Sequence, residues 1–216
     1  MTAFLDVDTQ ADFVLASGAL SVPGAEALRP ALAALTRLAR ERGLRVFGSV
    51  DRHFGTAEYR NREGELARWA GPFPDHCMDG TPGQLKVPET APANPLWLPN
   101  TTAVLPGIAE KARSHPGEVY LEKQSFSVFD NPNAKHVLGA AGTGGDTDRF
   151  VVYGVATDYC VRAAVLGLRA MGKEVLVVRD AIAAVNVKPG DGERTIGEMR
   201  AAGAGFVGLT ELGSLL

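Results

Sequence analysis

Short apolar runs alternate along this chain with segments of helical spacing, and that alternation constrains the fold more than any other feature. The runs fall at residues 4–8, 44–51, 118–121, 149–154 and 174–178, with a short one at 206–207. Several are apolar at consecutive positions, as in strands buried on both faces. Between the first two, Leu28, Leu32, Leu35, Leu38 and Ala39 form a helical stripe, with Pro30 in its first turn and Gly43 at its end. Further helices are expected at 108–113, at 131–138 with Pro132 at its first position, after Cys160 to about Gly172, and at 194–202. This order predicts an α/β fold: a three-layer α/β/α sandwich around a mainly parallel sheet, as one domain over residues 1–216.

From residue 52 to about 106 the periodicity disappears. Pro72, Pro74, Pro82, Pro88, Pro92, Pro95 and Pro99 punctuate the stretch, and Trp69, Phe73 and Trp97 are its large apolar anchors. So long an irregular connection in a compact domain is usually functional, and we read it as a folded excursion that builds one wall of a pocket. Residues 139–147 are glycine-rich without phosphate-binding spacing and read as a plain surface connection. A net charge of -3 and a pI near 5.8 give no reason to expect nucleic acid or an anionic membrane as partner. There is no signal-peptide pattern and no apolar run of membrane-spanning length, so the expected location is cytoplasmic. Two cysteines are too few for a disulfide framework, and both are expected as free thiols.

In parallel α/β sheets working residues gather beyond the carboxyl ends of the strands. Asp8, Asp51, Lys123 and the turn from Gly154 to Cys160 all fall there. Thr157-Asp158 is a pair able to cap a helix, which would place Cys160 in its first turn, where the dipole and free N–H groups favour thiolate. Lys123 would add positive charge. Asp8 would take the thiol proton and hand it to a leaving amine, and N–H groups of the 156–160 turn would hold an oxyanion. Together these describe acyl transfer from an amide through a thioester. Each residue has a blander reading: a buried small hydrophobe for Cys160, a turn former for Asp8, a solvated charge for Lys123. Asp6 and Asp12 rival Asp8 for the acid role, and Asp6 shares a strand face with Asp8 without an evident task. A second cluster is Asp51-Arg52-His53, joined later by Phe73-Pro74-Asp75-His76; two imidazoles and a carboxylate suit zinc, iron or manganese and would leave coordination positions open. His115 and His136 sit in ordinary polar contexts, and Cys77, next to His76, would point elsewhere in an extended segment.

These residues resemble the nicotinamidase and isochorismatase-like cysteine hydrolase family in four parts and in the family's order. Asp8-x-Gln10-x-Asp12-Phe13 followed by Gly18-Ala19-Leu20-x-Val22-Pro23-Gly24 is similar to its opening, and Asp51-x-His53 with His76 to Gly83 to its metal region. Lys123 with Ser127 and Phe129 resembles its lysine segment, and Gly154 to Val161 its nucleophile turn. The resemblance implies an isochorismatase-like fold, a triad of Asp8, Lys123 and Cys160, and a cis peptide between Val155 and Ala156. It also implies an oxyanion hole at Ala156 and Cys160, and a substrate pocket walled by Phe13, Phe73, Val155 and Ala156. It adds a divalent metal, zinc before iron or manganese, on Asp51, His53 and His76, in contact with a pyridine nitrogen. The implied substrate is a small amide, nicotinamide first, and the implied assembly a homo-oligomer. Other small amide, carbamoyl or ureido substrates are the alternative, and a non-catalytic ligand-binding relative a further one. The metal-free ether hydrolase branch fits poorly because it does not need Cys160. Three positions depart from the family pattern: Tyr59 where a further histidine can stand, Phe73 where tryptophan is common, and Asp6 where an apolar residue is usual.

Overall fold

The structure, a computed structural model, describes residues 1–140 and 148–216, so most of the glycine-rich connection at 139–147 lies outside the described residues. Among the described residues seven strands form one sheet: β1 (Thr2–Val7), β2 (Arg45–Asp51), β3 (Leu96–Leu98), β4 (Val119–Lys123), β5 (Arg149–Val155), β6 (Glu174–Ala183) and β7 (Gly205–Val207). Their order is β3-β4-β2-β1-β5-β6-β7, and every pairing is parallel.

Helices cover both faces. On one face α3 (Ile108–Ser114), α4 (Ala134–Gly139), α5 (Arg162–Ala170) and α6 (Asp191–Ala201) pack over Leu5, Phe47, Leu121, Phe150, Val152 and Val177. On the other, α1 (Ala11–Val14), α2 (Arg29–Arg42) and α7 (Leu209–Leu212) cover Phe4, Val151, Tyr153 and Val178. The stripe Leu32, Leu35 and Ala39 of α2 is fully buried, and Gly43 ends that helix in the left-handed conformation expected of a C-terminal glycine. The sheet thus has a hydrophobic core on each side, the reason its inner strands are apolar at consecutive positions. No helix among the described residues is long and apolar enough to cross a membrane.

Several features differ from the sequence reading, among them that α6 begins at Asp191, three residues earlier than expected. The excursion contains β3, a three-residue edge strand between Pro95 and Pro99, and its Trp97 is 42% exposed. Trp97 therefore lies against Tyr120 at the sheet's rim, the two rings tilted by 31°, and does not anchor a core. Strand β6 runs to Ala183, past a register shift opposite Val152 and Gly154, because the exposed pair Arg179-Asp180 interrupts its apolar run without ending the strand. Helix α4 starts at Ala134, since Asn131 is held outside it: its amide donates to the carbonyls of Leu98, Pro99 and Glu122.

Candidate active site

The four central strands, β4-β2-β1-β5, deliver the chemistry to one edge. Lys123 ends β4 and Asp51 ends β2, as direct register partners; Asp8 follows β1; the Gly154–Cys160 turn leaves β5. Lys123 is fully buried, with its Nζ 2.8 Å from Asp8 Oδ2 and 3.4 Å from Cys160 Sγ, and it also pairs with Asp51 Oδ1. One ammonium thus joins both carboxylates and the thiol.

Asp8 reaches this position through an unusual backbone. Its φ is +48°, a left-handed value for a residue with a side chain. The turn redirects the carboxylate to the α3–α6 face of the sheet, where Ser49 Oγ donates to Asp8 Oδ1 at 2.7 Å. Asp6 stays on the opposite face with Lys86 and Tyr120, so Asp6 and Asp8 do not share a face. Asp12 is occupied as well, accepting from the N–H groups of Cys77 (2.7 Å) and Ala19 (3.0 Å). Gln10 clamps Asp51, accepting from its N–H at 2.7 Å and donating to its carbonyl at 2.8 Å.

The nucleophile turn begins at Gly154, with φ +120°, where an added Cβ would lie 2.0 Å from the Val7 carbonyl oxygen. The Val155–Ala156 peptide is cis. Residues Thr157–Val161 then form a single π turn ahead of α5, and Cys160 lies within it. The expected capping pair does not cap. Asp158 instead accepts from the N–H groups of Val185 (2.9 Å) and Asn186 (2.8 Å), fixing the loop after β6.

Burial works against the thiolate that a helix start would favour. Burial pushes the Cys160 thiol well above its usual pKa; Lys123 opposes this, while Asp8 and Asp51 reinforce it. The Asp8 carboxyl is also raised, by burial first, with Lys123 opposing and Asp51 adding. Burial thus disfavours charge on both the thiol and the Asp8 carboxyl, and Lys123 is the group that opposes it at each.

Asp51, His53 and His76 converge with a fourth residue, Glu65, and one ligand atom from each lies within 4.8 Å of the others. All four are buried. Neither ring nitrogen of His53 has a hydrogen-bond partner, and Glu65 Oε1 has none. His76 Nδ1 meets the Pro74 carbonyl at 2.7 Å, which leaves Nε2 facing Asp51 Oδ2 at 3.8 Å. Burial lowers His53 to about 4, keeping it neutral and able to ligate, and raises Glu65 to about 8. Orphaned buried donor atoms on a carboxylate–imidazole set fit a divalent cation. Tyr59 is not in this group; it stacks on Phe54 at 4.0 Å. Cys77 is not in it either: its thiol faces the Gly83 carbonyl at 3.9 Å, and both cysteines are free.

Between Cys160 and this acid–imidazole group lies an apolar slot with an empty volume, mouth included, of about 470 Å³. Phe13, Phe73, Val155 and Ala156 line it, as do Phe126 and Tyr159, which sequence reasoning did not single out. Phe73 meets Phe126 (6.0 Å), Tyr159 (5.7 Å) and His76 (6.3 Å) edge to face. No periodicity marks Phe126 or Glu65; only their places in the fold identify them, Phe126 half-buried in the slot wall and Glu65 buried beside the imidazoles.

The chain belongs to the isochorismatase family, whose domain matches residues 2–211. Nicotinamidase of Escherichia coli (strain K12) is 32% identical over 214 residues, 94% of this chain and 92% of that relative. Pyrazinamidase of Pyrococcus horikoshii, solved in complex with zinc, shares the fold at a TM-score of 0.71 and 29% identity, covering 96% of this chain and 98% of that one. N-carbamoylsarcosine amidase of an Arthrobacter species is 26% identical over 167 residues, 75% of this chain; the match spans about half (52%) of that relative. Within the family the chain is a nicotinamidase-like amidohydrolase.

Proposed function

We propose that the chain hydrolyses a small carboxamide through a thioester on Cys160, converting nicotinamide to nicotinate and ammonia. The observation that carries this reading is the position of Lys123 Nζ, 2.8 Å from Asp8 and 3.4 Å from Cys160, at the wall of an aromatic-lined slot. Asp8 takes the Sγ proton as sulfur attacks the amide carbon, and Lys123 stabilises the charge that develops on sulfur. The N–H groups of Ala156 and Cys160 receive the oxyanion. Asp8 then returns its proton to the nitrogen, ammonia leaves, and the thioester remains. Water, deprotonated by Asp8, attacks the thioester; the acid departs and the proton passes back to sulfur. A thiol held neutral at rest suits this sequence, because the charge is created only against the substrate.

A divalent ion, zinc before iron or manganese, would be held by Asp51, His53 and His76 with Glu65 as a fourth donor. When bound it supplies a Lewis-acid contact for a ring nitrogen. Phe13 and Phe73 flank the slot and orient a flat ring against Cys160. The size of the slot supports a single-ring substrate.

A second reading, a carbamoyl or ureido substrate on the same triad, is favoured by the similarity to N-carbamoylsarcosine amidase. An ammonia-release screen over nicotinamide, other small amides and carbamoyl compounds separates the two. Turnover of nicotinamide, abolished in Cys160→Ala, is the expected result. Turnover of carbamoyl compounds alone selects the second reading, and unchanged turnover in Cys160→Ala overturns both.

A further inference from the structure

Behind the sheet, opposite the reactive edge, lies a buried charge pair that the proposed reaction does not use. Asp6 is 1% exposed, and its Oδ2 lies 2.9 Å from Nζ of Lys86, whose side chain is 2% exposed. Tyr120 donates its hydroxyl to the same carboxylate at 3.3 Å, and the Lys86 ammonium sits 4.6 Å from the Tyr120 ring centroid. Gly48, between Asp6 and Tyr120 in register, leaves the room for this: an added Cβ would lie 2.5 Å from the Tyr120 ring. Burying two charges on a strand face that an apolar residue would fill is costly, so the pair is expected to have a task.

The other oxygen of Asp6 points to that task. Thr9, the residue after Asp8, donates its hydroxyl to Asp6 Oδ1 at 2.8 Å and shares a 2.6 Å bond with the Thr90 hydroxyl. The Thr9 carbonyl accepts from Val87 N–H at 3.0 Å, and Lys86 bridges Gln10 across the same junction. The left-handed Asp8 is therefore held from both sides of the sheet: by Ser49 in front, and through Thr9 and Asp6 behind. A side-chain-bearing residue keeps such a backbone only where its surroundings over-determine it.

We propose that Asp6 is a positioning residue for Asp8, acting through the Thr9 hydroxyl, with Lys86 as the cation that pairs with Asp6 and holds it in place. The proposal rests on the reading of Asp8 as the base, so Asp8→Asn is measured alongside. Thr9→Val removes only the hydroxyl and is expected to lower kcat for ammonia release by about 10- to 100-fold, with KM within about twofold. Thr9→Ser restores the hydroxyl and is expected to recover most of that loss. A second comparison covers the case in which Thr9→Val fails to fold. The double variant Asp6→Asn, Lys86→Met keeps an acceptor for Thr9, whereas Asp6→Leu, Lys86→Met does not; the first is expected to exceed the second in kcat by about fivefold or more. Metal content, read separately, is expected to be equal in the two. If Thr9→Val and the leucine double variant both keep wild-type kcat while Asp8→Asn is inactive, positioning is wrong and the base reading stands. An active Asp8→Asn overturns both.

Discussion

Asp51 and Lys123 are register partners in adjacent parallel strands, and their side chains form an ion pair hidden from solvent. The same ammonium holds Asp8, so one cation balances two buried acids. Burial pulls the Lys123 pKa down, but Asp51 and Asp8 more than reverse this, and it stands well above the ordinary lysine value. Lys123→Met would strand both acids. We expect a loss of stability of about 3–5 kcal/mol in urea unfolding, and ammonia release below about a thousandth of wild type.

Two thiols allow a test of the resting state. Cys160 lines the slot, whereas Cys77 is sealed behind His76 with its thiol toward Gly83. Iodoacetamide should label Cys160 first, as peptide mapping would show. Because burial raises the Cys160 pKa, its thiolate fraction grows only above the usual thiol range. The labelling rate should therefore still be climbing beyond pH 9, the reference value for this thiol. A plateau reached at neutral pH would show a preformed thiolate and contradict the electrostatics described above.

Glu65 gives the metal group a pH signature. Burial raises its carboxyl to about 8, so it is mostly protonated at pH 7 in the metal-free protein. Ligation requires the carboxylate, so zinc binding must expel that proton, and apparent affinity should rise with pH toward about 8. Calorimetry at pH 7 in two buffers of different ionisation enthalpy should show proton release, reduced by about one proton in Glu65→Gln. His53→Ala should lose most of the bound metal by elemental analysis.

Gly154 provides a prediction about the fold itself. An alanine there would bring Cβ to 2.0 Å from the Val7 carbonyl at a φ of +120°. Both strain and collision fall between β1 and β5. Gly154→Ala should lose more than about 3 kcal/mol by chemical denaturation, while Gly64→Ala, where added Cβ meets nothing within 4 Å, serves as the tolerant control.

Much of the site could be read from residue order because Asp8, Asp51 and Lys123 each close an apolar run, and a parallel sheet sends every such ending to the same edge. Cys160 is legible for a similar reason, through the glycine that ends the apolar run of β5 just before the strand's last residue. Glu65 was not. It lies in a stretch without periodicity, where nothing in the sequence separates it from its neighbour Glu63, which is also buried but accepts from the N–H groups of Phe54 and Gly55. Trp97 misled for the opposite reason: a large apolar residue is normally inside, yet an edge strand of three residues leaves one face open. Asp6 and Asp8 looked equivalent by alternation, and only the left-handed φ at Asp8 separates them. Asp158 reads as a cap of its own helix because caps are local, whereas its partners lie just beyond the end of β6.

The pairing of β1 with β5 also bears on when reactivity arises during synthesis. Val7, beside Asp8, the proposed base, is matched in register with Gly154, at the root of the turn that carries Cys160. The ribosome therefore releases Asp8 long before Cys160, and the central strand must wait for a partner from the last third of the chain. Non-local pairing of this kind closes late and slowly. An incomplete chain, or one cut before β5, would present Asp8 and Lys123 without Cys160, so the proposed reactive centre is assembled only once the sheet is whole.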